Sequence, residues 1–456
     1  MRITTDIPLC LATVKQTLGI KPSFNDYTRL VSAICTDSRE LRGGELFIGL
    51  KGEKYDGSLF IPQIKNRVLC SIGAIGSGAD IILKNPNASL LRIANFYKKL
   101  LPIKKTVAIT GSVGKTTTKN IIFSLLEKHF TTHATYKNLN NEFGVPFTIL
   151  SAPANTQLLV IEAGMNHAGE LHELSLCIEP DISVITKIGT AHIGNIGSIE
   201  KIADAKCEIL DGMKQEFAII PHNDEILKSR IENYKTVSEI ENGANYSFFP
   251  ANNKNIYHFK TDTNAYEFTI YGLEKANFHT KRCLLFALAV CSEVNISEEQ
   301  ISESLKSIDF SLFSKEIEIN DLTLINDSYN SSPEAVIGAL DSLKCRKSGK
   351  KKSAVLGDML ELGDLSEKLH FEIGLHASKS DLENVYLIGA FSTYIYDGLR
   401  KGGFDERKIF VNEDAENPEI TARQILKHSS NEVILFKASR KIKLERIIDI
   451  LKKAQK

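Results

Sequence analysis

The chain has 456 residues, 43% hydrophobic and 25% charged, an ordinary globular composition with room for about three domains. Its 56 basic side chains are matched by 56 acidic ones, which removes the general electrostatic case for nucleic acid or an anionic membrane as partner, so any phosphate binding must be local. No apolar run approaches the roughly 18 residues that a membrane span needs.

Residues 1–103 predict a small mixed α/β domain with short strand-like runs such as Glu45–Leu50, and Pro102 with Lys104 and Lys105 forms a linker. Residues 104–312 alternate apolar strands with amphipathic helices, with strands expected at 106–110, 157–162, 182–187 and 217–220 and a helix from Thr117 to about Lys128. That alternation predicts a central α/β domain with a parallel sheet. A second series, 313–456, predicts strands at 322–326, 353–357, 384–389, 408–411 and 432–437. Helices are expected between and after them at 334–344, 366–378, 391–400, 419–428 and 441–454. This reads as a doubly wound, Rossmann-like C-terminal domain. In open α/β sheets ligands gather at the carboxyl ends of strands, so chemistry is expected at strand ends in both series.

The stretch TGSVGKTT at 110–117 joins a strand to a helix. A glycine turn feeding a helix N-terminus presents backbone N–H groups and the positive helix end to an anion. Gly111, Ser112, Val113, Gly114, Lys115, Thr116 and Thr117 are therefore expected to cradle the phosphates of a nucleoside triphosphate, with Lys115 on the outer phosphates and the Thr116 hydroxyl on Mg²⁺. The generic loop carries an earlier glycine where this chain has Ile109, which leaves a shorter G-x-x-G-K-T. The bland reading is a turn at a helix start.

Glu162 closes the strand LLVIE and is placed to hold Mg²⁺, which takes one or two carboxylates plus phosphate oxygens. The alternative is a solvated acid opening a loop. His192, in Thr190-Ala191-His192 after VITKIG, is a ligand, a base or a satisfied polar residue. Lys206, in SIEKIADAKCEIL, reads chemically as a solvated helix lysine. NLNNEFGVP at 138–146 either orients a polar substrate with its amides or simply forms a turn. Asp327 and Asn330 in NDSYNSSP, and Asp358 in LGDMLELG, lie at predicted strand ends. Asp327 suits ribose hydroxyls, while Ser332 before Pro333 suits a helix N-cap. Eight scattered cysteines with no C-x-x-C pair point to reduced thiols, and no signal-peptide pattern opens the chain, so a cytoplasmic location is expected.

Taken together, TGSVGKTT, NLNNEFGVP, EAGMNHAGE, TAH, ADAKCEI, DSYN and GDMLELG, with TDSRELRGGELFIGLKGEKYDGSLF at 36–60, resemble the Mur ligases of peptidoglycan synthesis, in order and over nearly the whole chain. GDMLELG and NLNNEFGVP are most similar to the member that adds D-alanyl-D-alanine to UDP-N-acetylmuramoyl-tripeptide. The resemblance implies ATP-dependent amide formation through an acyl phosphate, with small-molecule substrates and a monomeric enzyme. It implies two Mg²⁺ ions, Thr116 and Glu162 holding one and His192 the second, aided by Lys206 as a CO₂-derived carbamate. By the same resemblance Lys115, His192 and Lys206 are catalytic, and Asn141, His279 and Asp327 lie on the nucleotide. Ser38, Arg39, Lys51, Gly52, Asp56 and Gly57 match the UDP-substrate motif of the first domain. Asn330, Asp358 and Glu361 match positions near the incoming dipeptide.

The chain also departs from the family. HTKRCLLFA at 279–287 puts Cys283 where an adenine-reading Asn is expected, and FSKEIEIN offers Lys315 where an Arg is usual. A thiol replaces an amide poorly, and Lys lacks the bidentate fork of Arg. The departures leave two alternatives open. One is a Mur-type ligase for another carboxylate. The other is a phosphate-loop binding protein without ligase activity.

Overall fold

The computed structural model describes residues 1–52, 55–240, 243–251, 255–274, 276, 278–310, 316–328, 331–346 and 349–454. Three large sheets organise them, and Leu9–Cys10 pairs with Leu30–Val31 as a small antiparallel fourth. In the first, Arg2–Ile3, Ile34–Cys35, Leu46–Ile48, Cys70–Gly73 and Ile81–Ile82 lie in that order, parallel except for the first strand. The helix Asn87–Leu100 buries Leu90, Leu91, Ile93, Ala94 and Tyr97 along one face. It also joins the first sheet to the second. Asn95 Nδ2 donates to the carbonyls of Leu176 and Cys177, and Lys98 Nζ to those of Ile178 and Glu179, satisfying the open C-terminal end of helix Glu170–Ile178. Tyr97 Oη donates to Ala152 O at 3.0 Å. The first sheet is thus packed onto the second, ahead of the expected linker.

The central sheet has nine strands. The four expected ones are present as Lys105–Thr110, Leu158–Glu162, Ile182–Ile185 and Ala218–Pro221, all parallel. Thr132–Ala134 adds one edge. On the other side Tyr234–Ser238 and Tyr246–Pro250 continue parallel, and Ile256–Lys260 and Ala265–Thr269 finish antiparallel. The strand–helix alternation expected throughout this region therefore stops at about residue 234. The late strands are half-buried, with Tyr246, Phe248, Tyr257, Phe259 and Phe268 turned inward and polar residues between them. The two antiparallel strands Ile256–Lys260 and Ala265–Thr269 alternate with period two and need no crossover helix. Helices Lys115–Leu126 and Phe278–Glu293 cover one face, where Ile121, Ile122 and Leu125 join Leu284, Leu285 and Leu288 in one core.

The C-terminal sheet runs Glu316–Ile319, Leu322–Asn326, Glu432–Lys437, Lys351–Gly357, Asn384–Ile388 and Ile409–Asn412, parallel except for the first strand. The five expected strands are all there, with an extra antiparallel edge. Helices Pro333–Cys345, Ser366–Ala377, Ser392–Lys401 and Pro418–His428 match the expected pattern. The last expected helix is divided: a short turn Arg440–Ile442 precedes Glu445–Lys453, with Lys443 left-handed at φ 56° between them.

Candidate functional site

In the central sheet Lys105–Thr110 lies between Leu158–Glu162 and Ile182–Ile185, and all three run parallel. The loops leaving their carboxyl ends are therefore neighbours. They carry TGSVGKTT, Glu162 and Thr190-Ala191-His192, so the fold brings the three main candidates to one edge.

Gly111 has φ 139° and Gly114 has φ 96°, both in the left-handed half of backbone space that side-chain-bearing residues avoid. A Cβ on Gly111 would also strike Thr186 Oγ1. Gly114 is the helix N-cap, so the helix starts at Lys115 rather than Thr117 and the loop's last turn is already helical. Lys115 Nζ donates to Gly111 O at 2.6 Å. Burial lowers the Lys115 pKa, and the Glu162 charge pulls it back up.

Glu162 is 1% exposed. Its Oε1 accepts from Asn140 Nδ2 at 2.8 Å, while Oε2 is buried with no hydrogen-bond partner. A buried acceptor left open costs about 1–3 kcal/mol, so Oε2 fits a cation brought in with a ligand. Among the described residues no three His, Cys, Asp or Glu side chains gather as a metal cluster. A hard cation here would complete its shell with phosphate oxygens and water. Asn140 was not among the candidates. Its signal is its place in NLNN, where the structure uses Asn140 on Glu162 and turns Asn141 to accept from Gly144 N at 3.0 Å, on exposed surface.

Lys206, far from solvated, is 2% exposed on helix Ile199–Cys207. No acidic side chain pairs with it among the described residues. Burial first, and then the Lys115 charge, push its ammonium well below the usual lysine range. Burial and the neighbouring cation thus both disfavour its charged form. Such a group suits reaction with CO₂, which would turn it into an anion.

His192 sits at φ 66° with Nδ1 2.7 Å from Glu361 Oε2. The histidine ring holds the Glu361 carboxyl below the usual range. Glu361 comes from the C-terminal sheet, so this contact joins the two halves of the site. Asp327 comes directly after Leu322–Asn326, and its Oδ2 lies 3.2 Å from Nζ of buried Lys437 on the adjacent strand. His279, at the start of helix Phe278–Glu293, packs under Gly114 with Cys283. Sγ of Cys283 is 3.7 Å from both His279 Nε2 and Gly114 O. Burial raises the Cys283 thiol, but the charge and hydrogen bond of His279 outweigh it, and the thiol is lowered. The thiolate in turn raises the His279 imidazole.

Asp358 does not reach into the cleft as its strand-end position suggests. It is 5% exposed, and its two oxygens accept the backbone N–H groups of Ala390 and Phe391 at 3.0 Å each. Asn330 and Lys315 lie outside the described residues. In the first sheet, Ser38 and Arg39 lie just beyond Ile34–Cys35, and Lys51, Gly52, Asp56 and Gly57 beyond the parallel neighbour Leu46–Ile48. Asp37 accepts from the Arg39 backbone and guanidinium, Asp56 caps Ser58 N, and the backbones of Lys51 and Asp56 pair as an isolated antiparallel β-bridge. The two loops thus share one carboxyl edge.

Residues 109–283 match the Mur ligase middle domain, and residues 312–440 match the Mur ligase glutamate ligase domain. The chain is 32% identical over 434 residues to UDP-N-acetylmuramoyl-tripeptide–D-alanyl-D-alanine ligase of Bacillus subtilis, covering 92% of this chain and 93% of that one. Among solved structures, MurF from Acinetobacter baumannii superposes with a TM-score of 0.83 at 25% identity, covering 99% of this chain and 100% of the other. MurF ligase from Thermotoga maritima in complex with ADP gives 0.78 at 25% identity over 92% of this chain and 97% of its own.

Proposed function

The chain belongs to the Mur ligase family, and we propose that it joins D-alanyl-D-alanine to UDP-N-acetylmuramoyl-tripeptide at the expense of ATP, in the cytoplasm, as a step of peptidoglycan synthesis. The observation that carries this reading is the convergence at adjacent strand ends of a phosphate loop and a buried carboxylate with an open oxygen, with buried Lys206 on a helix near enough to feel the Lys115 charge. Full-length relatives with that activity support it.

In this reading the tripeptide carboxylate attacks the γ-phosphorus of ATP. A C–O–P bond forms, the bond to the β-phosphate oxygen breaks and ADP leaves. A carboxylate oxygen is a poor leaving group, and phosphorylation corrects that. The dipeptide amine then adds to the acyl carbon, and phosphate departs to leave the amide. Lys115 and the N–H groups of the loop from Gly111 to Thr117 face the charge that builds on the transferred phosphoryl group. Thr116 and Glu162 would hold one Mg²⁺, and His192 with a carbamate on Lys206 a second. When bound, the ions neutralise phosphate charge and polarise the phosphoryl group.

Asp327, steadied by Lys437, takes the ribose, and His279 and Asn141 lie on the nucleotide side. Ser38, Arg39, Lys51, Gly52, Asp56 and Gly57 hold the UDP end of the substrate. Asn330 and Glu361 meet the dipeptide, and Asp358 acts through the turn it closes. We place the domain boundaries at 1–103, 104–312 and 313–456. The three large sheets, one in each span, support them.

The test is phosphate release from Mg-ATP with UDP-N-acetylmuramoyl-tripeptide, with and without D-alanyl-D-alanine. Release that needs both, with a product heavier by the dipeptide, is the expected result. Release with neither, or none at all, overturns it and points to another carboxylate or to a binding role.

A further inference from the structure

No motif in the sequence singles out Glu334. It is the second residue of helix Pro333–Cys345, after the N-cap Ser332, where an acid ordinarily does no more than complement the helix dipole. Here the carboxylate crosses to the central sheet and takes both donors of Thr190. Oε1 accepts the backbone N–H at 2.8 Å, and Oε2 accepts the Oγ1 hydroxyl at 3.2 Å. Thr190 is 8% exposed, and a Cβ on the preceding Gly189 would meet Glu334 Cδ at 2.8 Å. The helix therefore rests on bare backbone.

The contact continues directly into the phosphate loop. Gly189 N–H donates to Ser112 Oγ at 3.0 Å, and that hydroxyl donates to Gly189 O at 3.2 Å. The Ser112 N–H donates to Lys187 O at 2.8 Å, and Thr186 Oγ1 donates to Val113 O at 2.6 Å. Four residues, Ser112, Gly189, Thr190 and Glu334, thus link the loop to the helix downstream of the Asp327 strand. A few residues further along, Gly194 N donates to Glu361 O, and a Cβ on Gly194 would lie 2.5 Å from Gly363 N. The C-terminal sheet meets the 186–194 segment at Thr190 and again at His192 and Gly194, and the Glu334 contact is the one that continues into the phosphate loop.

We propose that Glu334 is a positioning residue for the ligase reaction. Its two-oxygen grip on Thr190 fixes the seat of the C-terminal sheet over the phosphate loop, so that Asp327 and Glu361 are brought to the nucleotide and dipeptide sides of the reaction. The proposal rests on the ligase reading for its kinetic arm only.

The test compares the full chain with Glu334→Ala, Glu334→Gln, Thr190→Val and the Glu334→Ala/Thr190→Val pair. Two charge-assisted hydrogen bonds are removed in Glu334→Ala, and kcat is expected to fall about 10- to 100-fold, with the melting temperature close to that of the parent. Glu334→Gln keeps an acceptor for Thr190 N–H and offers a donor to Thr190 Oγ1, so it restores most of kcat. Thr190→Val lowers kcat by itself and adds nothing further to Glu334→Ala, because the two residues act as one contact. Small-angle scattering with Mg-ATP alone is expected to show a larger radius of gyration for Glu334→Ala, which reports the seat whatever the carboxylate substrate proves to be. An unchanged radius overturns the proposal even if the ligase reading fails. Unchanged kcat in Glu334→Ala, or additive losses in the pair that track melting temperature, overturns it as well.

Discussion

His192 and Glu361 face each other across two sheets, Nδ1 to Oε2 at 2.7 Å, and both hold left-handed backbone, at φ 66° and 67°. Neither is glycine, and each such residue costs on the order of 1–3 kcal/mol. Two strained residues that meet at a joint between sheets mark a place where geometry is held for use. The contact holds the two loops together at this point.

Replacing Glu361 by Ala removes a half-exposed partner, a loss of about 1 kcal/mol, or roughly 5-fold in rate if it is made in the transition state. The expected outcome is a modest fall in kcat and a rise in KM for D-alanyl-D-alanine, with KM for ATP unchanged. Steady-state kinetics with each substrate varied in turn checks this. A rise in the ATP constant alone would place Glu361 on the nucleotide instead.

Lys206 is buried, without an acidic partner among the described residues, and its burial beside the Lys115 charge disfavours the ammonium form. Replacing it by Ala should lower kcat by about 10²–10³, the scale of losing one preorganised electrostatic group, with partial recovery on adding short-chain carboxylates. The parent enzyme should also lose activity when CO₂ is stripped from the buffer. Full activity of Lys206→Ala at low CO₂ would end the carbamate reading.

Much of this site was legible because parallel strands end in loops that announce themselves. Lys105–Thr110 and Leu158–Glu162 are largely apolar, and the loop after each is polar and glycine-bearing. Other parts were hidden for physical reasons. The burial of Lys206 depends on neighbours far away in sequence. Glu334 looks like any first-turn acid until helix Pro333–Cys345 is set against Thr190. Asp358 shares the strand-end position of Asp327, but its neighbour Gly389, at φ 113°, folds the next turn onto it. The late central strands escaped because, among the described residues, Tyr234–Ser238 to Ala265–Thr269 follow one another with no helix between them to mark their spacing.

Cys283 packs against Gly114 O and His279 where the family usually places an amide. Asn both donates and accepts, so Cys283→Asn should lower the Michaelis constant for ATP by about 5- to 10-fold, the worth of one hydrogen bond of about 1–1.5 kcal/mol, and leave kcat intact. ATP titrations of the initial rate decide this. An unchanged constant would mean that adenine is read from elsewhere.

His370 supports the loop that carries Glu361. It is fully buried, stacked on Phe391 at 4.7 Å, with Nδ1–H donating to Ser366 O at 2.6 Å and Nε2 accepting Met359 N–H at 2.9 Å. That pattern requires the neutral ring, since a proton on Nε2 would face the Met359 N–H. Burial lowers its pKa from the ordinary 6.5, against a smaller upward pull from Ser366 and Asp358. Above pH 6.5 the folded and unfolded chains both carry it neutral, so it adds no pH dependence there. As pH falls below 6.5 the unfolded chain takes up a proton that the folded one resists, and stability is lost until the folded pKa is reached, by about 1.4 kcal/mol for each unit of depression. Protection of the amides in the neighbouring strands Lys351–Gly357 and Asn384–Ile388 should therefore fall between pH 7 and pH 5, so that their exchange slows less on acidification than the intrinsic chemistry does. In His370→Gln, which keeps an acceptor but cannot titrate, protection should be lower at pH 7 and its fall with pH should vanish. The same fall in both proteins would assign the acid sensitivity to another group.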